Sequence, residues 1–504
     1  MISKEVLNII CSLEKKYPVD RWCVNGFRIW PIIRCSLSFY LQSININQKN
    51  LSKKEASTNL LKRSIFRLKV YCKAFIYEIM DYKHSENKHK ADLFCFSDNN
   101  DRIIIMPDGT KYDRVLDPIK DEMIKRGYNS FSKELLNLSE LPNIPRYSFS
   151  SFFYMRYLIV SLIVVINLKV LQKEKLLKKT AHLEQFNNFI LECKTFGFNL
   201  SIHSILKSTE HIRLHCKNFE RILKQCNTRL VLTRCWYSSE RMALCAAAKK
   251  NGINIIDIQH GVAGGGQNQF YCSWTKIPLD GYELMPNVFW CNTEADCNAI
   301  QSWNNASHHT KTILGRRSLQ YLWMSSKGSE LIDSYLSDFL KKTHFSVNRK
   351  KILVSLQPLS KNTERMPEWL IDFIKNHNEY YWLIRRHPMI DSTQRDFINK
   401  IKDFSNVNIE ESFNFPLDIV FRITDVHLTM FSSVAMEAAE HGVPTVFLVN
   451  SRDYSSVISK DFIFYGRTPN ELIFSLNEAQ KKSETNNYFF EAFNEIERLI
   501  KKCH

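Results

Sequence analysis

Residues 425–450, DVHLTMFSSVAMEAAEHGVPTVFLVN, leave this chain few choices of architecture. Val426, Leu428 and Met430 alternate as a short apolar strand that stops at Phe431-Ser432-Ser433. Val434, Met436, Ala438 and Ala439 continue as a helix, His441-Gly442 ends it, and Pro444 forbids it from resuming. The β-branched, apolar run 445–449 then reads as a buried parallel strand. A strand, a helix and a second parallel strand in so short a space predict a doubly wound α/β sheet. Ser432 and Ser433 fall where the helix begins, among backbone N–H groups that lack intrahelical partners. The pair suits either ordinary N-capping or a phosphate held at the positive end of the helix, and Glu437, one turn on, would face the same crevice.

A chain of 504 residues exceeds what one core organises, so two or three domains are expected. An apolar fraction of 44% argues against wholesale disorder. The net charge of +17 suits nucleic acid, an anionic membrane surface or an anionic substrate. No nucleic-acid module is recognisable, so nucleic acid is not expected as a partner. The fourteen cysteines include no CxxC pair and no Cys/His cluster at zinc-ligand spacing, a usage expected of free thiols in a reducing cytoplasm. The first residues are charged within a few positions and lack a signal-peptide core. The most hydrophobic run, residues 157–171, is interrupted by Asn167 and Lys169 and falls short of a membrane span. It is expected to be a buried or interfacial helix.

Four segments follow from the patterning: a helical basic extension over 1–90, an N-terminal Rossmann-like domain with a helical insertion over 91–340, a second Rossmann-like domain over 350–485, and a final helix over 486–504. Within the extension, residues 53–90 carry ten Lys/Arg against four Asp/Glu, interleaved with apolar residues in the manner of a helix lying on anionic lipid or against a neighbour. Residues 341–351, polar and basic, read as the interdomain linker.

The strand ends carry the chemistry. In the first domain, the strand 91–96 runs into Asp98, Asp101 and Arg102. The strand INIIDI delivers Gln259-His260-Gly261 into a loop with three further glycines, which allow close backbone approach to a ligand. A histidine there can move protons near neutral pH, or simply cap a turn. Glu240 opens the preceding helix, suiting either the helix dipole or a place in the same crevice. In the second domain, the strand 381–384 runs directly into Arg385-Arg386-His387-Pro388. Pro388 keeps His387 extended, and three cationic groups at a strand tip suit a diphosphate-like anion.

Taken together, QHG, RRHP and HLTMFSSVAMEAAEHGVPT resemble bacterial GT-B glycosyltransferases of capsule and lipopolysaccharide assembly, nearest the β-Kdo and related nonulosonic-acid transferases that use CMP-activated sugars. CDP-glycerol-dependent teichoic acid polymerases have a similar arrangement. The resemblance spans roughly residues 91–485. It implies a GT-B fold, α/β with two Rossmann-like domains facing a cleft. It further implies that His387 and Pro388 lie at the donor's phosphate and base, with Arg385 beside them. Ser432 and Ser433 would hold phosphate, Glu437 the ribose hydroxyls, and Gln259, His260 and Gly261 the reacting sugar and acceptor.

The expected activity is transfer of a sugar from a CMP-linked donor to a lipid-linked or growing surface glycan, at the inner face of the inner membrane. A CDP-linked polyol-phosphate transferase and a non-catalytic assembly protein are the alternatives. Positive side chains and helix N–H groups would stabilise the leaving phosphate. No Asp-x-Asp pair is present to hold a divalent ion on the donor, so neither metal nor cofactor is expected. The catalytic carboxylate is not fixed by the pattern: Glu240, Asp257 and Asp98 are candidates, and Glu240 with His260 is the pair chosen.

Overall fold

In the computed structural model the described residues are 3–47, 90–135, 151–152, 159–164, 166, 183–259, 268–304, 310–343, 349–357, 366–387, 392–449, 454–455, 458–482 and 491–502. The basic segment 53–90, His260, Gly261 and Pro388 lie outside them, apart from Lys90. The chain divides into two compact units. Residues 1–44, 50–321 and 488–504 form the first, and residues 45–49 and 322–487 the second.

Two helices open the first unit, α1 (Ser3–Lys16) and α2 (Trp30–Asn47). The sheet follows as β1 (Leu93–Asp98), β2 (Ser130–Leu135), β3 (Ser151–Phe152), β4 (Leu230–Arg234), β5 (Asn254–Ile258), β6 (Val288–Cys291) and β7 (Lys311–Leu314). Its strand order is β7-β6-β5-β4-β1-β2-β3, parallel throughout. The order reverses between β1 and β4. Helices α3 (Ile202–Gln225), α4 (Ser239–Lys250) and α5 (Glu294–Asn304) connect or follow these strands. After β1 the chain forms, outside this sheet, the antiparallel hairpin Arg102–Ile105 with Lys111–Asp113.

Both faces of this sheet are covered, as parallel strands require. Alternate residues divide between the faces: Phe94, Phe96, Val231 and Ile255 join the core that includes α1, α2, α3 and α4. Leu93, Cys95, Leu232 and Ile256 join the core on the other side. The described part of the segment expected as an N-terminal extension is thus built into the first unit: Val6, Ile10, Leu13, Trp22, Trp30 and Leu37 are fully or almost fully buried. Glu14 and Arg34 form a sealed ion pair there. Glu14 accepts from the Trp30 indole (2.8 Å) and from the Thr275 amide (2.8 Å), while Arg34 donates to the Cys272 carbonyl (2.7 Å) and stacks 4.1 Å from the Trp274 ring. Satisfying both charges is what makes their burial tolerable.

The second unit contains β8 (Lys350–Ser355), β9 (Tyr380–Arg385), β10 (Val407–Asn408), β11 (Val426–Thr429), β12 (Thr445–Phe447) and β13 (Ile463–Tyr465). The order is β10-β9-β8-β11-β12-β13, again all parallel. In order of appearance this is 3-2-1-4-5-6, the doubly wound dinucleotide-binding topology, with its reversal between β8 and β11. Short helices α6 (Glu410–Asn414) and α7 (Val434–Glu440) follow β10 and β11. The residues read as a linker end one helix, Ser326–Thr343, and begin β8, so the break between units falls earlier, between Tyr321 and Leu322. The last helix, α8 (Glu491–Lys501), returns to the first unit, burying Phe493, Ile496 and Ile500 beside Trp290 and Tyr321.

Candidate functional site

In the second unit, parallel strands bring their C-terminal tips to one edge. Ligands of open α/β sheets bind where the strand order reverses, here between β8 and β11. Gln357, just past β8, accepts from the Phe431 amide just past β11 (3.2 Å), tying the two tips together. His387 follows β9, on the other side of β8. Two strand spacings put the C-terminal tips of β9 and β11 about 10 Å apart along this edge.

The residues expected at this edge take unequal roles. Arg385 is engaged within the fold: its Nη1 donates to the Ser412 carbonyl (2.6 Å) and the Phe415 carbonyl (2.9 Å), satisfying the C-terminal end of α6. Arg386 stacks 4.3 Å from the Phe413 ring and reaches Glu410 at 3.3 Å, remaining 27% exposed. The His387 amide donates to Gln394 Oε1 (3.0 Å), and its side chain is half-buried. Gln394 also lines a 150 Å³ cavity with Leu356, Gln357, Phe397, Lys400 and Met430. Ser432 is buried, and its Oγ accepts from the Val434 amide (3.2 Å), so it starts α7. Ser433 is exposed and its hydroxyl makes no capping bond. Glu437 is half-buried one turn further along.

The motif's own histidines are spent inside the fold. His427 is fully buried between Thr445 Oγ1 and Ser355 Oγ, both at 3.0 Å, and burial pushes its pKa down to about 3. His441 ties the end of α7 to Asp418 through Nε2 (3.0 Å).

In the first unit, the order reverses between β1 and β4, and Asp98 stands at that point. It accepts from Arg241 Nη2 (2.6 Å) and Arg234 Nη2 (3.3 Å), keeping 22% of its side chain exposed. Asp101 and Arg102, also named from the sequence, are sealed in the fold: Asp101 pairs with Arg234 (2.5 Å), and Arg102 with Glu134 (2.6 Å) and Asp117 (3.0 Å). Gln259 ends β5 but its amide faces inward. Its Nε2 donates to Asp296 on α5 (2.8 Å) and its Oε1 accepts from the Asn292 amide (2.7 Å), locking the tips of β5 and β6 together.

Of the three carboxylate candidates, Asp257 is fully buried and accepts from the Trp236 amide (3.0 Å) and the Tyr271 hydroxyl (2.7 Å). Burial pushes its pKa up to about 7. Such a group organises the protein rather than meeting a substrate. Glu240 lies in the first turn of α4, which Ser238 caps by accepting from the Arg241 amide (3.3 Å). Its carboxylate stands by His211 and His215 of α3, the ligand atoms of all three within 4.8 Å of one another. Burial lowers the pKa of both imidazoles, that of His215 to about 3, with His211 adding repulsion.

Arg234, Arg241, Gln357 and Gln394 were not singled out from the sequence. Arg234 terminates a readable strand, RLVLTR, and that position was the available signal. Gln357 follows a readable strand, and Gln394 becomes visible only through its bond to the His387 amide. The larger cavity in the first unit, 430 Å³ and lined by Lys16, Arg21, Thr275 and Trp303 among others, contains none of the expected site residues in its walls. The strand-tip position therefore outweighs size in locating the site.

No protein-family model matches this sequence, and no curated protein does. Solved structures do. The UDP-GlcNAc 2-epimerase of Methanocaldococcus jannaschii is 12% identical with a TM-score of 0.50, the alignment covering 81% of this chain and 99% of that one. The Neisseria meningitidis UDP-GlcNAc 2-epimerase bound to UDP-GlcNAc gives 13% identity, a TM-score of 0.48 and the same coverage. A variant of the wall teichoic acid polymerase TagF gives 11% and 0.41, covering 88% and 98%. At such identities the likeness is one of fold, and the chain has the α/β fold of the GT-B type, two Rossmann-like domains each built on its own parallel sheet.

Proposed function

We propose that this protein is a GT-B glycosyltransferase that moves a sugar, Kdo or another nonulosonic acid, from a CMP-linked donor to a lipid-linked or growing surface glycan. The observation that carries the reading is the second unit's strand order, which collects the tips of β8, β9 and β11 at one edge. The reading draws on His387, Gln357, Ser432 and Ser433, which follow those strands in sequence.

Breaking the sugar–phosphate bond places charge on the phosphate. The reading assigns that charge to His387, to the N–H groups at Ser432 and Ser433 and to the exposed Ser433 hydroxyl. Pro388 would face the base and Glu437 the ribose hydroxyls. Arg386, still partly exposed, is better placed than Arg385 to answer the phosphate charge. On the acceptor side, His260 is assigned the proton of the attacking hydroxyl, with Gly261 giving the sugar close access to the backbone. Gln259 supports His260 by fixing the end of β5. Glu240, held beside two imidazoles, is assigned a supporting part rather than that of the base.

Thermal unfolding with CMP, CDP, UDP or GDP tests the donor. Stabilisation by cytidine nucleotides is expected, and CMP against CDP separates sugar transfer from polyol-phosphate transfer. The His387→Ala variant is expected to lose that stabilisation. Stabilisation by UDP or GDP alone overturns the donor, and an unchanged response of His387→Ala overturns the site.

A further inference from the structure

The geometry points to a divalent metal site of the zinc class, formed by His211, His215 and Glu240 across helices α3 and α4. His211 and His215 are one turn apart on α3, so their rings share a helix face. Their Nε2 atoms are 3.3 Å apart. Two imidazole nitrogens bound about 2.0–2.1 Å from a tetrahedral zinc ion would also be about 3.3 Å apart. Glu240 supplies a third ligand from the facing helix, with all three ligand atoms within 4.8 Å of one another.

The ligand chemistry fits as well. Two imidazoles and one carboxylate suit zinc and its first-row neighbours, whereas magnesium or calcium would call for oxygens. Three protein ligands leave a fourth position for water or a substrate atom. His211, the half-buried member, gives access from solvent, while His215 is fully buried and Glu240 nearly so.

An ion there would fasten the first turn of α4 to α3. Arg241, the residue after Glu240, donates to Asp98 at the point where the first sheet's order reverses. The metal thus sets the position of that arginine. It is distinct from any ion on the donor's phosphates, and its presence does not depend on the donor proposed above.

The test uses the full chain, made in zinc-supplemented medium, dialysed free of loose metal and measured by elemental analysis. The wild type is expected to retain stoichiometric zinc. Its Tm should fall by several degrees with a chelator and recover with zinc alone, since binding to the folded state stabilises it. His211→Asn and Glu240→Gln are expected to lose the zinc and the chelator response while keeping the wild-type far-UV circular dichroism. His211 is only half-buried, so its variant remains informative if a change at His215 disturbs packing. No retained zinc together with no Tm response to zinc overturns the site, and leaves the imidazole pair as an N–H···N hydrogen bond. Equal zinc and equal responses in wild type and variants also overturn it, and assign the metal to some of the fourteen cysteines.

Discussion

Asp257, one of three carboxylate candidates, shows how a residue that stands out in the sequence can serve the fold instead. A carboxylate one residue before the end of a buried strand looks like a catalytic group. In the fold it is a fully buried acceptor for the Trp236 amide and the Tyr271 hydroxyl. Its pKa, raised by burial to about 7, has a thermodynamic consequence. The unfolded chain releases this proton near pH 3.9, so between about pH 4 and 7 the folded state holds a proton that the unfolded state has lost. Stability therefore falls as pH rises through that window, by at most about 1.4 kcal/mol per pH unit. Asn at this position cannot titrate. The Tm of Asp257→Asn relative to wild type is expected to shift in the variant's favour between about pH 5 and 7, and parallel Tm curves would refute this. Gln259 and Arg385 teach the same lesson. Their positions at strand tips were legible, but the partners that claim their polar atoms come from α5 and α6, distant in sequence.

At the scale of elements, the stretch 425–450 was legible almost residue by residue, because alternation, glycine and proline punctuate it locally. Gly442 terminates α7 with φ +69°, and an added Cβ would sit 1.9 Å from the Lys482 carbonyl oxygen. The Lys482 amide in turn donates to the Gly442 carbonyl (2.8 Å), so neither backbone is free to move aside. Gly442→Ala is expected to destabilise the second unit by about 2 kcal/mol or more, combining the left-handed conformation with the clash. A denaturant midpoint within error of wild type would refute this. Strands β2, β3, β6, β7 and β13 were harder to see. Most are short or polar, and register with a neighbour rather than local pattern makes them strands. The histidine pair of α3, at i, i+4 spacing, went unread in the sequence, and its third partner, Glu240, joins only once α3 and α4 pack.

For the whole molecule, the sequence foretold two doubly wound sheets and missed how the chain is shared between them. The +17 charge and the resemblance together lead us to propose residence at an anionic membrane surface. Among the described residues no helix is long and apolar enough to cross a membrane. In the helical stretch 159–164 and at 166, however, Ile159, Leu162 and Ile166 are more than half exposed. Such a face beside a basic chain suits the headgroup region. Co-sedimentation with vesicles containing anionic phospholipid is expected, weakened by high salt and by Leu162→Asp. Equal sedimentation with neutral vesicles, or none with either, would refute the electrostatic part of this reading.

The return of α8 to the first unit orders events in folding. Residues 322–487 form a compact unit of their own, interrupting the first. The first unit stays incomplete until α8 comes back to it with Phe493, Ile496 and Ile500, the side chains that cover Trp290 and Tyr321. The unit begun first is finished last. A chain cut after residue 487 would keep the residues of the second unit and leave the first with an apolar face open to water.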